Sequence, residues 1–158
     1  MELNEISGDI VDAAVSIHRA LGPGLLEAAY ELVLVSELKR RGHRVESQVP
    51  VSFEYGGTKI ENAFRIDVLV DGEVVVELKS TERVSPVHAK QLKTYLVLTG
   101  RRLGLLLNFG MESMKDGIRR VLNGDVPDLK GLPTTASAEG RDASHGATEA
   151  RRRSDGEG

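Results

Sequence analysis

The stretch Phe64-Arg65-Ile66-Asp67-Val68-Leu69-Val70, followed by Asp71-Gly72 and then Val74-Val75-Val76-Glu77-Leu78-Lys79, constrains the fold more than any other part of the chain. Alternate residues of a strand share a face, so Ile66, Val68 and Val70 make one apolar row and Val74, Val76 and Leu78 another. Asp71-Gly72 is a turn signal between them. Pairing the rows sets Val70 opposite Val74, Val68 opposite Val76 and Ile66 opposite Leu78. The loop then holds an odd number of residues, because a strict two-residue turn would set apolar against polar. In that register Asp67 lies opposite Glu77, and Arg65 opposite Lys79, with Cβ atoms about 4.5–5.5 Å apart. Two carboxylates and an ammonium are expected on one face.

Two acids so close repel unless a cation lies between them or one takes up a proton. Hard oxygen donors suit Mg²⁺ or Mn²⁺, which keep several waters and also accept phosphate oxygens. A lysine two residues beyond the glutamate, on the same face, orients an attacking water and offsets charge on a phosphorane. That is phosphodiester-hydrolysis chemistry. A plainer reading stands beside it: an aspartate followed by Glu-x-Lys arises often by chance, as the solvent-facing side of a hairpin.

The flanking patterns supply the remaining elements. Ile6, Ile10, Ala13, Ala14, Ile17 and Leu21 recur at helical spacing, so a helix is expected over about 5–20, broken at Gly22-Pro23-Gly24. A second helix, about 25–41, ends at Gly42 with Lys39, Arg40 and Arg41 in its last turn. Val45, Ser47, Val49, Val51, Phe53 and Tyr55 alternate with polar residues as a strand, bent or edged at Pro50. Gly56-Gly57 leads into a strand over 58–70, and the Asp71-Gly72 turn into one over 73–79. Ser85-Pro86 starts a third helix that runs to Gly100. Leu103–Phe109 reads as a strand buried on both faces, and 111–123 as a last helix. The order α-α-β-β-β-α-β-α makes an α/β (α+β) domain: a mixed sheet flanked by helices, with a helical crossover between its third and fourth strands.

Composition narrows the function. The chain of 158 residues has no cysteine, which excludes a disulfide scaffold, a thiolate metal site and a cysteine nucleophile. A formal charge of −3 excludes a uniformly basic nucleic-acid coat but not a local basic patch. No apolar run is long enough for a membrane span, and the N-terminus lacks the layout of a signal peptide, so a cytoplasmic protein is expected. Beyond Lys130 the only apolar residues are Leu132 and five alanines. The expected domain is therefore 1–130, and 131–158 reads as a disordered tail.

Further polar residues cluster around the hairpin. His88, Gln91 and Tyr95 fall at i, i+3 and i+7 on the helix after the Glu-x-Lys strand, so they share a stripe. Tyr95 alternatively packs in the core with Leu92 and Leu96. Glu27, one turn before Tyr30, either complements a helix dipole or brings a third carboxylate to the sheet. From Lys90 to Arg120 there are seven Lys/Arg (Lys90, Lys93, Arg101, Arg102, Lys115, Arg119, Arg120), a candidate positive face for phosphates.

His18-x-x-Leu21-Gly22-Pro23-Gly24-Leu25-Leu26-Glu27-x-x-Tyr30 closely resembles the signature of the small bacterial GxxExxY proteins, which are grouped with the PD-(D/E)xK nuclease superfamily. The agreement continues through Gln48-x-Pro50-Val51, Arg65-Ile66-Asp67, Val76-Glu77-Leu78-Lys79, Pro86-Val87-His88, Gln91-Leu92-x-x-Tyr95-Leu96 and Gly104 to Phe109. It spans about 5–125, and Ile66 stands where the superfamily's namesake proline would precede the aspartate. The resemblance implies a restriction-endonuclease-like core with Asp67 and Glu77 as metal ligands for Mg²⁺ or Mn²⁺. It also implies catalytic roles for Lys79, Glu27, Gln91 and Tyr95, the last two as the Gln-x-x-x-Tyr element of the exonuclease branch. His88, Lys90 and Lys93 are candidate substrate contacts. The expected activity is a metal-dependent nuclease acting on nucleic acid, DNA foremost. A non-catalytic nucleic-acid-binding or regulatory module on a nuclease scaffold is the alternative, and a homodimer or protein partner stays open.

Overall fold

The computed structural model describes residues 1–124; the expected tail over 131–158 and the last residues of the expected domain lie outside the described residues. Helix α1 (Leu3–Leu21) buries Ile6, Ile10, Ala13, Ala14 and Ile17 along one stripe. Helix α2 (Glu27–Arg40) buries Tyr30, Leu34 and Leu38, one residue per turn. Strands β1 (Val45–Tyr55) and β2 (Thr58–Val70) form a long hairpin, followed by β3 (Val74–Lys79). Helix α3 (Pro86–Thr99) starts after Ser85 and stops at Gly100, whose φ of 69° is left-handed. Strands β4 (Leu103–Asn108) and β5 (Ile118–Leu122) complete the sheet.

The sheet has five strands in the order β1-β2-β3-β4-β5. Only β3 and β4 run parallel, joined by the α3 crossover. This is a restriction-endonuclease-like α+β core. A parallel pair must be covered on both faces. Accordingly Val74, Val76, Leu78, Leu103, Leu105 and Leu107 pack with the buried residues of α1 and α2, while Val75, Leu106 and Val121 pack with Ala89, Leu92 and Leu96 of α3. No helix among the described residues is long and apolar enough to cross a membrane.

The expected last helix over 111–123 does not form. Its place is taken by a single 3-10 turn, Met114–Gly117, and by β5. Ile118-Arg119-Arg120-Val121-Leu122 fits either periodicity, but without it the outer edge of β4 would bury unpaired main-chain groups. Pairing from Leu103↔Leu122 to Leu107↔Ile118 satisfies that edge. Gly117 permits the approach, since a Cβ there would run into the Asn108 carbonyl.

The hairpin between β2 and β3 keeps its expected start: Val70 pairs with Val74 and Val68 with Val76, across an odd loop. The ladder then stops. The expected pairs Ile66–Leu78, Asp67–Glu77 and Arg65–Lys79 are not formed as ladder partners. Ile66 joins the α3-side core instead of the row of Val68 and Val70.

Candidate active site

The Gly-Pro-Gly break is held open by a tyrosine. Gly22 adopts a left-handed φ of 75°. The Tyr30 hydroxyl donates to the Gly22 carbonyl and accepts from the Leu25 N–H at 3.1 Å. Its fully buried ring stacks on Phe109 with centroids 4.5 Å apart. The loop is tied to the sheet as well, because Ser80, next to Lys79, donates through Oγ to the Leu25 carbonyl at 2.8 Å. His18 Nε2 donates to the Met111 carbonyl at 2.8 Å. These bonds bring Glu27, the first residue of α2, to the open end of the hairpin.

There the main chains of β2 and β3 part, and side chains bridge them. The Asp67 N–H donates to Glu77 Oε1 at 3.3 Å, and the Leu78 N–H donates to Asp67 Oδ2 at 3.0 Å. Each acid thus binds a main-chain group of the strand opposite, which is why the regular ladder ends at Val68. Glu77 is 7% exposed. Burial and then the charge of Asp67 push its carboxyl up to about 8, with Lys79 acting in the other direction. Burial likewise raises Glu27, against the charge of Lys79 and with that of Asp67.

Lys79 is followed by a clamped loop. Buried Asn108, which pairs with Lys79 across the parallel strands, accepts from the N–H groups of Thr81 and Gly110, both at 3.0 Å. Its Nδ2 donates to Thr81 Oγ1 at 3.1 Å and to the Arg83 carbonyl at 3.3 Å. The clamp carries the chain into α3, whose first turn holds His88. Burial and the Lys79 charge lower the His88 pKa. Two turns on, Tyr95 stacks face to face on Phe64 at 3.9 Å and is hydrogen-bonded by Gln91. Burial, then Glu77 and Asp67, raise its phenol.

The structure therefore gathers Asp67, Glu77, Lys79, Glu27, His88, Gln91 and Tyr95 at one end of the sheet. Lys90 is exposed, and off the stripe that His88 and Tyr95 share. Lys93 is placed elsewhere, its ammonium donating to the Leu122 carbonyl. The candidate basic face shrinks for the same reason. Arg101 binds the Gly72 carbonyl, Arg119 binds carbonyls of its own turn, and Arg120 is buried. Backbone carbonyls near these cations compete with any phosphate for them.

Two neighbours were not among the candidate site residues: Glu31, and Gln48 of the Gln48-x-Pro50-Val51 stretch. Glu31 lies one turn after Glu27, a spacing that was available as a signal. Its carboxylate accepts from Gln48 Nε2 at 2.7 Å, and the same nitrogen lies 3.5 Å from Asp67 Oδ1. Burial raises the Glu31 pKa, the Gln48 bond opposes this, and the charges of Asp67 and Glu27 add to it.

A model of the PD-(D/E)XK nuclease superfamily matches residues 4–121, from the first turn of α1 into β5. The chain belongs to the PD-(D/E)XK nuclease superfamily. No curated protein and no solved structure matches it.

Superfamily members generally use divalent metal ions. Among the described residues no group of three or more His, Cys, Asp or Glu side chains is arranged to hold one. Asp67 and Glu77 are a pair, and each has one oxygen engaged by a main-chain N–H. The second oxygen of Asp67 has only the long 3.5 Å contact from Gln48 and keeps lone-pair capacity for a ligand. Such a set fits Mg²⁺ or Mn²⁺, which bind through one or two carboxylates and complete their shell with water and substrate oxygens. It does not fit a closed four-ligand zinc site. In this PD-(D/E)XK protein burial and the charge of Asp67 both oppose ionisation of Glu77, and a cation between the two acids would relieve that opposition.

Proposed function

We propose that this protein is a metal-dependent nuclease of the GxxExxY type, hydrolysing phosphodiester bonds in DNA with Mg²⁺ or Mn²⁺. The observation that carries the reading is the reciprocal bridging of Asp67 and Glu77 at the point where the sheet opens, with Lys79 two residues on. Asp67 and Glu77 would hold the ion, and Glu27 of α2 adds a further negative charge near Asp67 and Lys79. A divalent ion at such a site supplies Lewis-acid activation of the phosphate and of water. Lys79 positions the attacking water and offsets the charge that builds on the phosphate as the P–O ester bond breaks. Gln91 and Tyr95 orient Lys79 or a phosphate oxygen, and His88 and Lys90 contact the backbone of the substrate. Lys93 drops out of that set, because its ammonium is already engaged by Leu122.

Cleavage of single- and double-stranded DNA and of RNA, with and without divalent metal, tests the reading. Metal-dependent cleavage of DNA that disappears in Lys79→Ala is expected. Equal activity in Lys79→Ala, or none in the wild type on any substrate, overturns it. Nucleic-acid binding without metal affinity is the signature of the non-catalytic alternative.

A further inference from the structure

Among the described residues, three other than glycine have left-handed backbones: Gln48 (φ 52°), Asn62 (φ 50°) and Asp71 (φ 53°). Asn and Asp adopt this region readily, because their short polar side chains bond locally. Gln48 has no such excuse, and it sits inside a strand. Its place in the pairing is informative. Ser47 pairs with Val68 and Val49 with Ile66, so the missing partners between them are Gln48 and Asp67. The β1–β2 ladder skips the residue pair that carries the acid.

The Gln48 side chain faces that acid. Its Nε2 is anchored on Glu31 Oε1 at 2.7 Å and lies 3.5 Å from Asp67 Oδ1, an electrostatic contact more than a full hydrogen bond. The other oxygen of Asp67 is held by the Leu78 N–H at 3.0 Å. An uncharged donor thus stands between two carboxylates, from α2 and β2, that would otherwise meet with nothing between them. Strain in an unusual backbone persists where surrounding structure fixes it, and such positions cluster at functional sites.

We infer that Gln48 is a positioning residue: held left-handed in β1 and anchored on Glu31, it fixes the Asp67 carboxylate with Oδ2 on Leu78 and Oδ1 turned to the site. The inference rests on the reading of Asp67 as a metal-holding acid. Gln48 does not touch the reacting atoms; it limits how far Asp67 can rotate. Groups that orient ligands in this way typically change metal affinity by about 10–100-fold when removed.

Two variants separate positioning from folding. Gln48→Met keeps the length and the backbone demand but removes the donor; Gln48→Gly also removes the donor but relieves the left-handed φ. Both are compared with wild type by Mn²⁺ calorimetry, by the exchange rate and shift of the Leu78 amide proton without metal, and by thermal melting. Both are expected to weaken Mn²⁺ about tenfold and to perturb the Leu78 amide, with Gln48→Gly melting no lower than wild type. Wild-type Mn²⁺ affinity and an unchanged Leu78 amide in Gln48→Met overturn the inference, as does a loss that simply tracks the melting temperature. If the wild type binds no Mn²⁺, the metal reading fails by itself. The Leu78 amide then decides: perturbed in both variants it supports the role of Gln48, unchanged it overturns it.

Discussion

The two ends of the central hairpin hold charge in opposite ways. At the turn, His43 is almost wholly enclosed, its side chain 1% exposed, between two acids. Nδ1 lies 2.6 Å from Asp71 Oδ2 and Nε2 2.8 Å from Asp9 Oδ2, so a carboxylate at each ring nitrogen favours the protonated imidazole. Burial lowers the His43 pKa, but the bonds to Asp71 and Asp9 outweigh it and the net shift is upward. Asp71 shifts downward overall: burial raises it, and the bonds from His43 and the Arg44 N–H overcome that. The cluster carries its own cation and ties α1, the start of β1 and the β2–β3 turn together. At the open end, the half-buried Asp67 lies beside the buried Glu77 with Lys79 as the nearby cation, and Glu77 is driven up to about 8. Where charge is matched internally the ladder is regular from Val68 to Val70; where it is not, the strands part. On the proposed reading the first cluster serves stability and the second a ligand.

Substitutions that exchange these properties should break the contrast. The largest effect is expected for Lys79→Ala and Asp67→Ala, each lowering the cleavage rate by about 10²–10⁴-fold, measured at the metal concentration that saturates the wild type. Asp71→Asn should leave the rate of the folded protein unchanged and lower its unfolding free energy by about 3 kcal/mol, read by urea denaturation. Glu77→Gln should do the reverse at pH 8: raise the melting temperature of the metal-free protein and abolish its response to Mn²⁺.

The pH dependence of stability sharpens the same comparison. Glu77 has a folded pKa of about 8 against an ordinary 4.5, so the folded state binds the extra proton and stability falls as pH rises between those values. His43 is also raised, from 6.5; its contribution is full below 6.5 and is lost as pH climbs through the folded value. Both act in one direction, so Glu77→Gln is needed to separate them. In urea titrations across pH, that variant should lose the Glu77 part of the decline between 4.5 and about 8. It should keep the His43 part above 6.5 together with the declines that begin at 4.5 from Glu27 and Glu31. Saturating Mn²⁺ should cancel the Glu77 part and leave the His43 part. The smallest effect is expected on binding. Lys90→Ala should reduce the salt dependence of DNA affinity by about one unit of slope, while Lys93→Ala should leave the slope unchanged and lower stability instead.

Much of the turn end and of the fold was legible in the sequence, because local pattern and tertiary need agree there. The rows Val68-Val70 and Val74-Val76, the odd loop, and the Ser85-Pro86 and Gly100 helix limits all follow from periodicity and turn chemistry. Residues 118–122 misled because their pattern suits a helix while the open edge of β4 demands a strand. The open end was legible in residue types and not in geometry. Asp67, Glu77 and Lys79 do converge, yet through side-chain bonds to the opposite main chain that no alternation rule encodes. Glu31 was missed although its spacing from Glu27 was there to be seen. Gln48, quoted only within the Gln48-x-Pro50-Val51 stretch, was not given a role because its left-handed backbone and its contact with α2 leave no local trace. The basic residues misled because counting cations does not reveal which ones face their own backbone carbonyls.

The central claim is that Asp67 and Glu77 form an acid pair left for a divalent cation to complete. Calorimetric titration of Mn²⁺ into the wild type and into Asp67→Ala tests it without any guess about substrate. The account predicts saturable binding to the wild type, accompanied by proton release at pH 7, and its loss in Asp67→Ala. Equal binding to both proteins, or none to the wild type, would contradict it.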